Sequence, residues 1–218
     1  MAFTFFFRDM NTFQLIERHA VPEMVHRRYI DIWDAGCATG EEPYTLAMIL
    51  RERMGEFIYR NVRIIASDRN GKFGDIVSRA SYPEALVRRI PEEYKAKYFV
   101  QEQDPGTYRL TDAIRNAVRF QEHNLTSLSP IRGDFVLIVC KNVLLHLSPE
   151  ERVEVIKMFH SCLVPGGYMA FENTQKLPAE LRGWFEPVEA DGPLFRKTNP
   201  PGGKEVHGNN HNSTEEYT

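Results

Sequence analysis

The sequence predicts an α/β protein: a mostly parallel, doubly wound sheet with a C-terminal antiparallel hairpin and a small inserted antiparallel subdomain. Three observations predict it. Short apolar runs alternate with helical patterns along the chain, as parallel sheets with crossover helices require. The run Phe135-Val136-Leu137-Ile138-Val139-Cys140 is apolar on both faces, which suits a central parallel strand covered by helices on each side. Between the first strand and first helix lies a turn, Gly36-Cys37-Ala38-Thr39-Gly40, where such sheets let backbone approach a ligand.

The first strand reads as Tyr29-Ile30-Asp31-Ile32-Trp33. A helix follows the glycine turn, with Leu46, Ala47, Leu50 and Met54 on one face, Thr39 and Glu42 at capping-box spacing, and Pro43 in the first turn. Val62-Arg63-Ile64-Ile65-Ala66 is the second strand, with Ser67-Asp68 at its carboxyl end. The stretch from Asp68 to Phe135 is too long for one crossover helix. It contains Tyr98-Phe99-Val100, Asp104-Pro105-Gly106 and Tyr108-Arg109-Leu110, a hairpin signal, so residues 81–113 are expected to form an insertion before Val118-Arg119-Phe120 rejoins the sheet. Ser148-Pro149-Glu150-Glu151 opens another helix with a capping box, whose apolar face is Val153, Ile156, Phe159, His160 and Leu163. Pro165-Gly166-Gly167 is expected to end it before a strand over residues 168–171, and residues 185–189 with 194–197 read as a hairpin across Asp191-Gly192. Residues 1–198 thus read as one domain and 199–218, rich in Pro, Gly, Asn and His, as a disordered tail.

Composition narrows the function. The chain has 218 residues, 42% hydrophobic and 26% charged, the balance of an ordinary globular protein. With 27 basic against 30 acidic residues and a net charge of −3, there is no electrostatic case for nucleic-acid binding. No apolar run is long enough for a signal peptide or a membrane span, so a cytoplasmic protein without direct membrane insertion is expected. Cys37, Cys140 and Cys162 form no metal-ligand spacing, and His207 and His211 in the tail are not expected to bind metal either.

The chemistry concentrates at the carboxyl ends of the strands. The glycine turn misses both the G-x-G-x-x-G fingerprint and the phosphate-binding loop pattern. Glu41 and Glu42 at a helix start suit the helix dipole but would repel a pyrophosphate, and they favour a cationic ligand. Asp68 is placed to accept hydrogen bonds from ribose hydroxyls. In this order the features point to a nucleoside cofactor that carries positive charge, as S-adenosylmethionine does.

The residues resemble the CheR-type chemotaxis receptor methyltransferases, a family of Rossmann-like class I methyltransferases acting on receptor glutamates. Thr4-Phe5-Phe6-Phe7-Arg8-Asp9 looks like the family's T-x-F-F-R-[DE] opening, and residues 35–44, A-G-C-A-T-G-E-E-P-Y, are very close to its most specific signature. Ser67-Asp68, Asn124-Leu125, Cys140-Lys141-Asn142-Val143 and Pro165-Gly166-Gly167-Tyr168 match further motifs in order, across residues 4–197. The resemblance implies the following roles. Thr4 and Arg8 line the cofactor and acceptor side, while Gly36, Cys37 and Ala38 form the cofactor loop. Glu41 holds the cofactor's amino-acid portion and Asp68 its ribose. Asn124 and Leu125 border the adenine, and Asn142 and Val143 floor the site. It also implies a chemoreceptor cytoplasmic domain as protein substrate, S-adenosylhomocysteine as product, and an inserted subdomain that in some members grips a receptor tail by strand addition.

Several positions depart from the pattern. The family's tyrosine beside the transfer site is His146 here, its arginine is Lys141, and Asp68-Arg69-Asn70 lacks the second acid of S-D-I-D. His146 and Arg8 are the candidate catalytic residues. The pattern begins at residue 4, so the resemblance covers the catalytic domain and not the helical N-terminal domain with which full-length members begin. Two other readings stay open: a non-catalytic sensor or interaction module that binds the cofactor or its product, and a methyltransferase acting on a different acceptor.

Overall fold

In the computed structural model, residues 4–199 are described; the tail with His207 and His211 lies outside them. Residues 4–9 form a strap, with turns over 6–9, that leads into α1 (Met10–Leu15), one π-helical turn (Ile16–Ala20) and α2 (Val21–Met24). No element is expected here from the sequence patterns above. The signal exists nonetheless: Phe13, Ile16, Ala20, Val21 and Met24 recur at helical spacing and are all buried.

Strand β1 (Ile30–Ala35) is buried along its whole length and passes through the glycine turn into α3 (Glu41–Tyr59). Here the expected capping box is corrected. The cap residue is Gly40, at φ 97°, and Thr39 Oγ1 donates to Glu41 Oε2 at 2.6 Å and accepts no backbone N–H as a cap would. A side chain at Gly40 would meet the Tyr82 hydroxyl at 2.9 Å, so glycine serves both the left-handed turn and the close approach of the insertion. The face Leu46, Ala47, Leu50, Met54 is buried as expected, but Met48 and Ile49 are buried too, because the N-terminal segment covers the other side of the helix.

The chain continues through β2 (Val62–Asp68), α4 (Phe73–Arg79) and then the insertion: β3 (Ser81–Pro83), α5 (Glu84–Val87), α6 (Glu92–Tyr98), β4 (Phe99–Gln101) and β5 (Thr107–Leu110). These three strands make a separate antiparallel sheet in the order β3-β5-β4, with Gly106 at φ 83° in the expected hairpin turn. After α7 (Asp112–Arg115), β6 (Val118–Glu122) rejoins the main sheet beside β2.

Strand β7 (Phe135–Val139), α8 (Pro149–Cys162), β8 (Leu163–Ala170), β9 (Phe185–Pro187) and β10 (Leu194–Lys197) complete the fold. The Ser148 capping box on α8 forms in both directions. The end of α8 is corrected: the helix stops at Cys162, and Pro165-Gly166-Gly167 lies within β8, where the register against β7 jumps from Phe135↔Leu163 to Leu137↔Tyr168. The seven-stranded sheet runs β6-β2-β1-β7-β8-β10-β9, parallel from β6 to β8, and closed by the antiparallel pair β10 and β9. Strand order reverses between β1 and β7, so a crevice opens there at the carboxyl ends.

Candidate active site

A cavity of about 990 Å³ occupies that crevice. Small-molecule sites span roughly 300–1,000 Å³, so it has room for a nucleoside cofactor and part of an acceptor. Gly36, Cys37 and Ala38 wall it from the glycine turn. The turn is held by backbone: the N–H groups of Gly36 and Cys37 donate to the Ser67 carbonyl at 2.7 and 2.9 Å. Ser67 is fixed in turn by the buried indole of Trp33, whose Nε1 donates to Ser67 Oγ at 2.8 Å. A side chain at Gly36, which sits at φ 102°, would strike Val143 Cγ2 at 2.1 Å, so this glycine lets the two walls meet.

Asp68, at the end of β2, faces the cavity with both carboxylate oxygens in use: Oδ2 accepts from Ala38 N at 3.1 Å and Oδ1 from Asn70 N at 2.9 Å. Each oxygen keeps a second lone pair for a ligand hydroxyl. Asn70 thus supplies a backbone donor where the second acid of the family pattern is missing. Asn124 and Leu125 form another wall, with Asn124 Oδ1 capping the short 3-10 turn Leu125–Ser127 by accepting from Thr126 N. Asn142, at φ 59°, and Val143 follow β7, and Asn142 N donates to Glu172 Oε2 at 2.9 Å. Glu172 is buried outside the cavity, and no sequence motif singles it out. Thr4 and Arg8 close the site from the strap, while His146 lies exposed on the wall beside Leu145, an exposed hydrophobic residue.

One expected site residue falls elsewhere. Glu41 does not line the cavity; it is buried, bonded to the Thr39 hydroxyl, and burial raises its carboxyl pKa. Its neighbour Glu42 lines the cavity and pairs with Lys141 Nζ at 3.0 Å. Two adjacent glutamates at a helix start point in directions about 100° apart, which spacing alone does not rank.

Behind this wall lies Asp34, fully buried, with neither carboxylate oxygen hydrogen-bonded to protein. Burial first, then the nearby Glu42, raises its pKa well above the ordinary carboxylate range, with Lys141 opposing. Burial likewise raises Glu42, and Lys141 pulls it back. Asp34 and Glu42 therefore share one buried lysine as neighbour, with Asp68 close to Asp34. With Asp68 offering carboxylate lone pairs and Glu42 beside it on the lining, these residues fit S-adenosylmethionine. Cys37 contributes volume, not reactivity, because burial pushes its thiol pKa up. Among the described residues no cluster of His, Cys, Asp and Glu is arranged to hold a metal.

A parallel sheet closed by a reversed strand, with an acid-walled cavity at its carboxyl edge, defines the class as a Rossmann-like S-adenosylmethionine-dependent methyltransferase. Residues 2–192 match the family described as CheR methyltransferase, SAM binding domain. The chain is 31% identical over 186 residues to chemotaxis protein methyltransferase 1 of Pseudomonas aeruginosa, covering 80% of this chain and 67% of that protein. It is 29% identical over 199 residues to chemotaxis protein methyltransferase 1 of Vibrio cholerae serotype O1, covering 89% of this chain and 71% of that one. The chain belongs to the CheR methyltransferase family.

Proposed function

We propose that this enzyme methylates glutamate side-chain carboxylates on the cytoplasmic domain of a chemotaxis receptor, acting in the cytoplasm and producing a glutamate methyl ester and S-adenosylhomocysteine. S-adenosylmethionine supplies an electrophilic methyl group on a sulfonium. A glutamate acceptor, with a pKa of about 4.3, is already ionised at neutral pH, so the site needs no strong general base. Alignment and removal of water are what the protein must provide.

The observation that carries the reading is one cavity lined by two kinds of residue. Asp68, Glu42 and the glycine turn suit the cationic nucleoside, while Arg8, His146 and exposed Leu145, on the same lining, suit an acceptor. The Arg8 guanidinium can orient a carboxylate through its planar fork. His146 supplies a hydrogen-bond donor where the resemblance has a tyrosine. Asn124 and Leu125 suit the adenine, and Asn142 and Val143 the floor beneath the reacting atoms. No helix among the described residues is long and apolar enough to cross a membrane.

Incubation with methyl-labelled cofactor and receptor cytoplasmic fragments is expected to yield base-labile methyl esters that release methanol. Base-stable label on the same fragments would contradict the glutamate acceptor.

A further inference from the structure

Among the described residues, Lys141 is the buried ammonium set against the acidic wall, and its three partners come from three different segments. Its Nζ lies 3.0 Å from Glu42 Oε2 in the first turn of α3, donates to the backbone carbonyl of Arg8 at 3.0 Å, and sits 4.4 Å from the centre of the Phe13 ring on α1. The side chain is fully shielded from solvent. An ammonium held this way is costly unless paired, so its position is strongly determined by these contacts. The strap is the segment that needs holding. Phe7 and Asp9, which flank Arg8, adopt φ 59° and 54°, a conformation that L residues take only when their surroundings enforce it. Phe6 anchors the strap edge-on against Tyr82 and Phe99 of the insertion, and Phe7 N donates to Thr45 Oγ1 at 3.0 Å.

We propose that Lys141 is a positioning residue of the transfer site: by gripping the Arg8 carbonyl it latches the strap bearing Thr4 and Arg8 over the bound cofactor, with Glu42 as the counter-charge that keeps the latch in place. The proposal rests on the reading of the cavity as the cofactor site. Because the latch takes the main-chain carbonyl, substitutions of the Arg8 side chain leave it intact. The guanidinium fork of an arginine, which stands here in the family pattern, can reach the same two acceptors.

The test compares Lys141→Met, Lys141→Arg and a Lys141→Met, Glu42→Gln double variant, which avoids stranding a buried carboxylate. Hydrogen exchange over residues 4–12 is followed in the full chain, without ligand and with S-adenosylhomocysteine, alongside the dissociation rate of that product. The methionine variants are expected to exchange the Phe7 amide and to release the product about tenfold faster, and Lys141→Arg to restore both. Folded methionine variants with wild-type exchange and release, or a failure of arginine to restore either, would overturn the proposal. Exchange in the ligand-free protein reads the latch without the cofactor. A failure of the cavity reading therefore shows separately, as product affinity that Asp68→Ala leaves unchanged.

Discussion

Asp34 is a fully buried carboxyl with no hydrogen-bond partner among the described residues, and it carries a clear pH dependence. Its folded pKa lies well above its ordinary value, so between the two the folded chain keeps a proton that the unfolded chain has lost. This group therefore favours the native state most below the unfolded pKa of about 3.9, and its contribution declines as pH rises toward the folded value, by about 1.4 kcal/mol per pH unit. Asp34→Asn removes that slope. In thermal melts from pH 4 to 8 the variant is expected to gain stability relative to wild type as pH rises; parallel pH profiles would show that the carboxyl is not held neutral. Glu41 is raised in the same direction but is common to both proteins, so it cancels in the difference. At this scale most residues expected at the site, Glu41 excepted, line one cavity. The glycine turn and Asp68 could be read from strand-end chemistry, and Asn124 and Asn142 from the family pattern. The roles of Asp34, Lys141 and Glu172 could not, since each depends on burial and on partners distant in sequence.

Helix ends show why some elements announce themselves and others do not. Ser148 and Glu151 satisfy each other's orphan N–H groups locally, at 3.2 and 2.9 Å, so four adjacent residues sufficed to place the start of α8. Ser148→Ala is expected to cost about 1 kcal/mol, roughly a 2–4 °C loss of melting temperature in a chain of this size, with the fold intact by circular dichroism. No change in melting temperature would mean the cap is satisfied by water instead. At α3 the same spacing misled, because tertiary contacts took over. Thr39 is occupied by Glu41 and by the Tyr82 hydroxyl, which donates to the Thr39 carbonyl at 2.9 Å. The strap has no secondary-structure signal for a related reason: a left-handed residue on each side of Arg8 leaves no simple period, whereas the helical spacing from Phe13 to Met24 was there to be read. The hairpin of the insertion was legible because Asp104-Pro105-Gly106 marks its turn.

For the molecule as a whole, the sheet order and the site are one argument. Reversal between β1 and β7 opens the crevice, the glycine turn after β1 walls it, and the insertion closes on that turn through Tyr82. The apolar run of β7 predicted the sheet's centre because burial on both faces leaves no alternation to misread. The central claim is that this crevice binds the cofactor through Asp68. Calorimetric titration with S-adenosylhomocysteine, wild type against Asp68→Ala, tests it most directly. Saturable binding by wild type is expected, with a loss of about 1–3 kcal/mol in the variant, from a charged hydrogen bond no longer made. Equal affinity in the two folded proteins would contradict it.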